Sequence, residues 1–223
     1  MQQNRHPPQR LNNSIRGKYV LYVACFCITL AFAGFTARDG WDVWQQHGLD
    51  VDAERGSVLR NIRASTLLSG RNQFLGDARA RYTLVEFGDY ECPPCRAVQQ
   101  LALNILDRYK GRVKLDFRQL PLSHIHPHAK AAAVAAESAR PSGKFWILHQ
   151  RLLAADLNQR DSIAQSLSLS GVAVDRTRAQ KQIALDAALA RQLSVDSTPS
   201  FFLCRPDNTV VRLPRLQAIG QNL

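Results

Sequence analysis

Two cysteines stand three apart in the stretch VEFGDYECPPCRAV, Val85 to Val98, with only Pro93 and Pro94 between them. Thiols at this spacing serve three chemistries: a metal clamp, a structural disulfide or a redox couple. A zinc site built on Cys92 and Cys95 needs two further ligands, and paired sites of this kind draw on a second such cysteine pair, which the sequence lacks. His124, His126 and His128 in HIHPHA are the one clustered alternative, and they read better as the surface start of a helix. A structural disulfide fits poorly too, because a four-residue ring closes little chain and stabilises little. A redox couple, needing neither metal nor cofactor, fits best.

The flanking residues say how such a couple would be held. RYTLVEFG, Arg81 to Gly88, is rich in branched and aromatic residues and reads as a buried strand. A helix is expected from about Pro93 to Tyr109, with Val98, Leu101, Leu103, Ile105 and Leu106 on its apolar side and Gly111 as its stop. RVKLDFRQL then alternates as a second strand, so strand, helix and strand form a parallel unit. Cys92 falls at the helix N-cap, with Pro93 at N1, Pro94 at N2 and Cys95 at N3. Unpaired amides and the helix dipole there favour a thiolate, the reactive form. Proline is tolerated in the first turn. Pro94 has no N–H, which leaves the Cys95 amide as the local donor to Cys92. Asp89 and Glu91 oppose the thiolate with negative charge. Cys92 is expected exposed and attacking, Cys95 resolving.

Beyond the pair, HAKAAAVAAESA, GKFWILHQRLLAA and RTRAQKQIALDAALARQL carry helical composition or spacing. TPSFFLC and TVVRL read as two strands joined by RPDN, a hairpin, and the last residues suffice for a short helix. Cys204 reads as a buried strand residue.

The chain has 223 residues, 45% hydrophobic, with net charge +11. It shows no nucleic-acid-reading motif, so the charge is read as a basic surface and tail rather than a nucleic-acid interface. Residues 1–18 form a basic tail with Arg5, Arg10, Arg16 and Lys18. Tyr19 to Thr36 runs eighteen residues without a charge, long enough for a membrane anchor with the basic flank inside. A signal peptide cleaved after AFA, Ala31 to Ala33, is the competing reading. Cys25 and Cys27 lie in this run as small hydrophobes. Residues 37–74 read as a spacer with some helix near Val58 to Ile62, and 75–223 as the folded domain.

LVEFGDYECPPC resembles the active-site segment of the DsbA-like thiol–disulfide oxidoreductases of the thioredoxin-fold superfamily. RQLPLSHIHPHAKAAAVAAESA and GKFWILHQRLL look like that family's helical insert, and STPSFF like its cis-proline loop. The resemblance covers roughly residues 75–213. It implies an α/β thioredoxin fold with a helical insertion, after an N-terminal transmembrane or signal segment. It implies that Cys92 and Cys95 form the redox-active disulfide, and that Glu86, six residues before Cys92, is a semi-buried acid relaying the Cys95 proton. It further implies that Thr198-Pro199 is a cis peptide facing the cysteines and offering backbone groups to substrate. Exported cysteine-containing proteins would be the substrates, and a membrane partner would recycle the disulfide. The domain would sit on the periplasmic side of the inner membrane, or be soluble there after cleavage. Pro94 departs from the histidine found at this place in the family's best-known oxidant, and points to a weaker oxidant. The alternative of another class is a redox-inert or metal-delivering assembly factor that uses the same groove.

Overall fold

The computed structural model describes residues 56–70, 72–159 and 161–223. The strands are β1 (Ser57–Leu59), β2 (Leu75–Gly76), β3 (Tyr82–Gly88), β4 (Val113–Gln119), β5 (Ser200–Cys204) and β6 (Val210–Leu213). The helices are α1 (Ala64–Leu67), α2 (Pro93–Arg108), α3 (Ala129–Ser138), α4 (Phe145–Ala154), α5 (Ser162–Ser170) and α6 (Arg176–Gln192). Short 3-10 turns cover Arg140–Ser142 and Leu216–Gln221. Among the described residues the strands form one sheet in the order β1-β6-β5-β3-β4-β2.

β3 lies at the centre of this sheet. It pairs in parallel with β4, Glu86 opposite Phe117, and antiparallel with β5, Glu86 opposite Phe201. Strand alternation sends its residues to opposite faces. Leu84 packs with Ala102, Ile105 and Leu106 of α2, while Val85 and Phe87 pack with Ala190 and Leu193 on the α6 side. Glu86, two residues from Leu84, therefore belongs to the face that α2 covers. A third cluster joins Tyr90 and Phe117 to the alanines of α3 and to Phe145, Leu148 and Leu152 of α4. The small side chains of α3 let it lie close against α6 and α4, and Ala129, Ala132 and Ala136 are fully buried.

Three expectations need correction. Part of the expected spacer 37–74 is folded into the domain: β1 pairs antiparallel with β6, Val58 opposite Val211. Ile62, Ala64 and Leu67 enter the core beside Phe202 and Val210. Burying Ile62 and Leu67 contributes about 1.5–3 kcal/mol each, which holds this short segment down. Val58 itself is in a strand, and half exposed. The helix α5 was not foreseen, because SLSLS alternates as a strand would and serine is a weak helix former. Its apolar Ile163 and Leu167, four apart, pack on the third cluster. The basic tail and the apolar run Tyr19–Thr36 lie outside the described residues. Among the described residues no helix is long and apolar enough to cross a membrane.

Candidate functional site

Cys92 is the N-cap of α2, in extended backbone (φ −68°, ψ 118°), with Pro93 and Pro94 in the first turn. The chain turns there because β3 ends at Gly88 and Pro93 has the φ that a first helical residue needs. Two details differ from expectation. Cys92 is 4% exposed rather than open to solvent. Its side chain makes no capping bond to the helix amides. The sulfur instead donates to the carbonyl of Thr198, 3.3 Å away. The cause is tertiary: the loop before β5 lies over the helix start, and it carries the cis peptide Thr198-Pro199. The resemblance's cis proline is thus present and next to Cys92.

Cys95, one turn into α2, is fully buried. Burial pushes its thiol well above the usual range; a backbone hydrogen bond from Asp89 opposes this, and the nearby charges of Glu86 and Cys92 add to it. Cys92, Cys95 and Cys204 are all free thiols.

Glu86 lies beneath the pair, 2% exposed. Its Oε2 has no hydrogen-bond partner. Desolvation raises its carboxyl from 4.5 to about 8. An acid on the covered face of a central strand has no water to stabilise its charge, so it keeps its proton near neutrality. Gly88 leaves the space this requires: a Cβ there would run into the ring edge of Phe117 and lie 3.3 Å from Glu86 Oε1.

Asp89 and Glu91 do not stand as bare charges beside Cys92, as expected, but are acceptors that tie two loops together. Asp89 is 1% exposed. It accepts from the Glu91 amide at 2.8 Å and from the Leu122 amide at 2.8 Å. It also meets His126 Nδ1 at 2.8 Å. Glu91 accepts from the amide of His128 at 2.7 Å. The histidine segment, read from sequence as a surface helix start, is thus bound to the approach to Cys92. Among the described residues no group of three or more His, Cys, Asp or Glu could hold a metal ion.

Tyr90, between these two acids, points into the interior and its hydroxyl meets His149 Nδ1 at 3.0 Å. Gln119 Nε2 lies 3.5 Å from the same hydroxyl and donates to Glu137 Oε1 at 3.0 Å. Arg140 closes the group on Glu137 at 2.7 Å. Burial, with a smaller contribution from the Arg140 charge, lowers His149 to about 3, so it is neutral. Neither Asp89–His126 nor Tyr90–His149 was foreseen. The partners are 37 and 59 residues apart, and only the exact loop path brings them together.

Cys204 packs with Val85 and Phe202 on the face opposite α2. Burial raises its thiol to about 12, with the Asp116 charge adding to it. The structure therefore brings together Cys92, Cys95, Glu86, Thr198 and Pro199, and leaves Cys204 apart.

A family model described as Thioredoxin matches residues 69–205. The thioredoxin-like oxidoreductase of Silicibacter pomeroyi DSS-3 is 27% identical, covering 71% of this chain and 93% of its own, with a TM-score of 0.57. DsbA2 of Pseudomonas aeruginosa is 22% identical, covering 68% of this chain and 93% of its own, with a TM-score of 0.54. Among curated proteins, the Na(+)/H(+) antiporter NhaA 1 of Salinispora arenicola is 35% identical over 144 residues. That match covers 60% of this chain but only 22% of the antiporter, so the chain spans about a fifth of such relatives. With the matched model spanning the central strands, the cysteine pair and the cis-proline loop, the chain belongs to the thioredoxin family, and its fold is similar to that of DsbA2.

Proposed function

We propose that the domain exchanges disulfides with protein substrates through Cys92 and Cys95. One observation carries this reading: the Cys92 sulfur sits at a helix N-terminus against the Thr198 carbonyl, while Cys95 is fully buried one turn behind it. A substrate reaching the cis-proline loop meets Cys92 first. In the oxidised protein a substrate thiolate attacks Cys92 Sγ, the Cys92–Cys95 bond breaks, and Cys95 leaves with the electron pair. That thiolate is buried, so it takes up a proton. Glu86 lies close enough to perturb Cys95 and holds a proton near neutrality, which suits it to deliver that proton and to accept it on reversal. A second substrate thiolate then attacks the substrate sulfur and releases Cys92. Run backwards, the same steps reduce a substrate disulfide. Thr198 and Pro199 offer backbone to an extended substrate.

The basic tail and uncharged run before the domain favour a single-pass anchor in the inner membrane, with the pair on the periplasmic side. Exported cysteine-containing proteins are then the substrates, and a membrane redox protein recycles the pair. Cys95→Ser should accumulate mixed disulfides on Cys92, because the resolving thiol is gone, and Cys92→Ser should accumulate none. Non-reducing gels of the two variants decide it. Equal trapping by both would contradict the assigned roles of the two thiols, and trapping by neither would point instead to a binding factor whose thiols do no chemistry.

A further inference from the structure

The segment from Leu120 to His128, between β4 and α3, is fastened to the residues that lead into Cys92. The Leu120 amide donates to the Gly88 carbonyl at 2.9 Å. The Leu122 amide and His126 Nδ1 each meet Asp89 Oδ2 at 2.8 Å, and the His128 amide meets Glu91 Oε2 at 2.7 Å. Asp89 Oδ1 accepts from the Glu91 amide at 2.8 Å, the bond of a turn. Both oxygens of a short side chain are thereby committed, which fixes the direction of Asp89's own peptide groups. Those groups face the thiols. The Asp89 carbonyl accepts from the Cys92 amide at 3.3 Å, and its N–H is bonded to the Cys95 sulfur. Among the described residues His126 is the one side chain that donates to Asp89; the other donors are backbone amides. A carboxylate only accepts, so the ring donates through Nδ1. The ring is 16% exposed, which limits competition from water. A turn holds it there, with the His126 amide on the Leu122 carbonyl at 2.9 Å.

We propose that His126 is a positioning residue for disulfide exchange: through Asp89 it aims a backbone N–H at Cys95, the sulfur that leaves. The inference rests on the exchange reading. When a substrate thiolate opens the Cys92–Cys95 bond, negative charge grows on Cys95 in a buried place. A donor fixed beforehand stabilises that charge without having to reorganise. A donor free to swing supplies less. Attack by reduced Cys92 on an outside group puts no charge on Cys95, so it does not draw on this donor.

The test mixes the oxidised full chain, as wild type, His126→Leu and His126→Asn, with excess 2-mercaptoethanol. The small thiolate bonds to Cys92 Sγ, the Cys92–Cys95 bond breaks, and Cys95 leaves with the electron pair and takes up a proton. Quenching with a maleimide and weighing the products follows the loss of the oxidised form. His126→Leu should open about tenfold more slowly. His126→Asn, whose side-chain N–H stands where Nδ1–H stood, should recover most of the rate. Alkylation of reduced Cys92 by iodoacetamide, located by peptide mapping, should stay within about twofold of wild type in both variants. Loosened packing alone would alter both reactions together and would not be rescued by asparagine. Opening at the wild-type rate in His126→Leu, no recovery in His126→Asn, or a parallel change in alkylation would overturn the inference and leave exchange standing. If His126→Leu does not fold, His126→Gln, whose amide sits one bond farther out, replaces it with the same expectation. A wild-type disulfide that 2-mercaptoethanol does not open would remove the exchange reading itself, and this inference with it.

Discussion

Glu86→Gln should make the reduced protein more stable, by an amount that depends on pH. The carboxyl titrates at 4.5 in an unfolded chain and at about 8 in the fold. Below pH 4.5 both states hold the proton and the acid costs nothing through ionisation. Between 4.5 and 8 the unfolded state releases its proton and the folded state keeps it, so stability falls as pH rises. The slope is about 1.4 kcal/mol per pH unit. Over the roughly 2.5 pH units from 4.5 to neutrality this amounts to about 3 kcal/mol. Above pH 8 both states are ionised and the loss stays constant. Glutamine has the same shape and no such titration, though it keeps a buried polar group. The substituted protein should therefore gain about 2–3 kcal/mol at neutral pH, with the gain fading toward pH 4.5. A gain of that size raises the melting temperature by roughly 4–12 °C. Urea titrations of both proteins, reduced, across this range measure the gap directly. A gap of constant size from pH 4.5 to 8 would refute the assignment of a buried, protonated Glu86. The same variant should slow exchange if the acid carries the Cys95 proton, which stopped-flow mixing with a reduced peptide would read.

Asp89→Ala removes the acceptor shared by Glu91, Leu122 and His126, and should cost about 3 kcal/mol in urea unfolding. Asp89→Asn, which keeps acceptor oxygen, should cost less. Gly88→Ala drives a Cβ into the Phe117 ring and should destabilise by about 1–3 kcal/mol, read as a lower denaturation midpoint. Cys204, with its thiol raised to about 12 by burial, should resist a maleimide in the native protein and react once urea unfolds it, as peptide mapping by mass spectrometry would record. Cys204→Ala should leave exchange rates as they are.

Much of this arrangement was legible in the sequence where neighbours along the chain determine it. The apolar run of β3, the proline-marked start of α2 and the alternation of β4 are local signals, and their boundaries fall within a residue or two of expectation. The cysteine pair is equally local. Glu86, Thr198 and Pro199 came from the family pattern, since no periodicity marks a carboxylate as buried. What escaped depends on contacts across the chain. The Thr198 carbonyl, from 106 residues further on, both covers Cys92 and replaces the expected cap. Asp89 and Glu91 look like charges in a list of residues; only the path of the loop from Leu122 to His128 makes them acceptors. β1 escaped because its strand partner, β6, lies at the other end of the domain.

That separation has a consequence for the time order of synthesis. β3, the helix carrying the thiols and β4 emerge early, yet β3's other neighbour, β5, comes near the end, and β1 waits longest for β6. The wall over Cys92 is made 106 residues after it. At about 5–20 residues per second a nascent chain spends roughly 5–20 seconds with Cys92 made and Thr198 not. Throughout that interval the sulfur lacks its carbonyl cover, the middle of the sheet has an open edge, and Glu86 has no Phe201 across from it. A ribosome stalled before Thr198 would hold an unshielded thiol beside an unpaired strand, so the cover over Cys92 is a property of the completed fold alone.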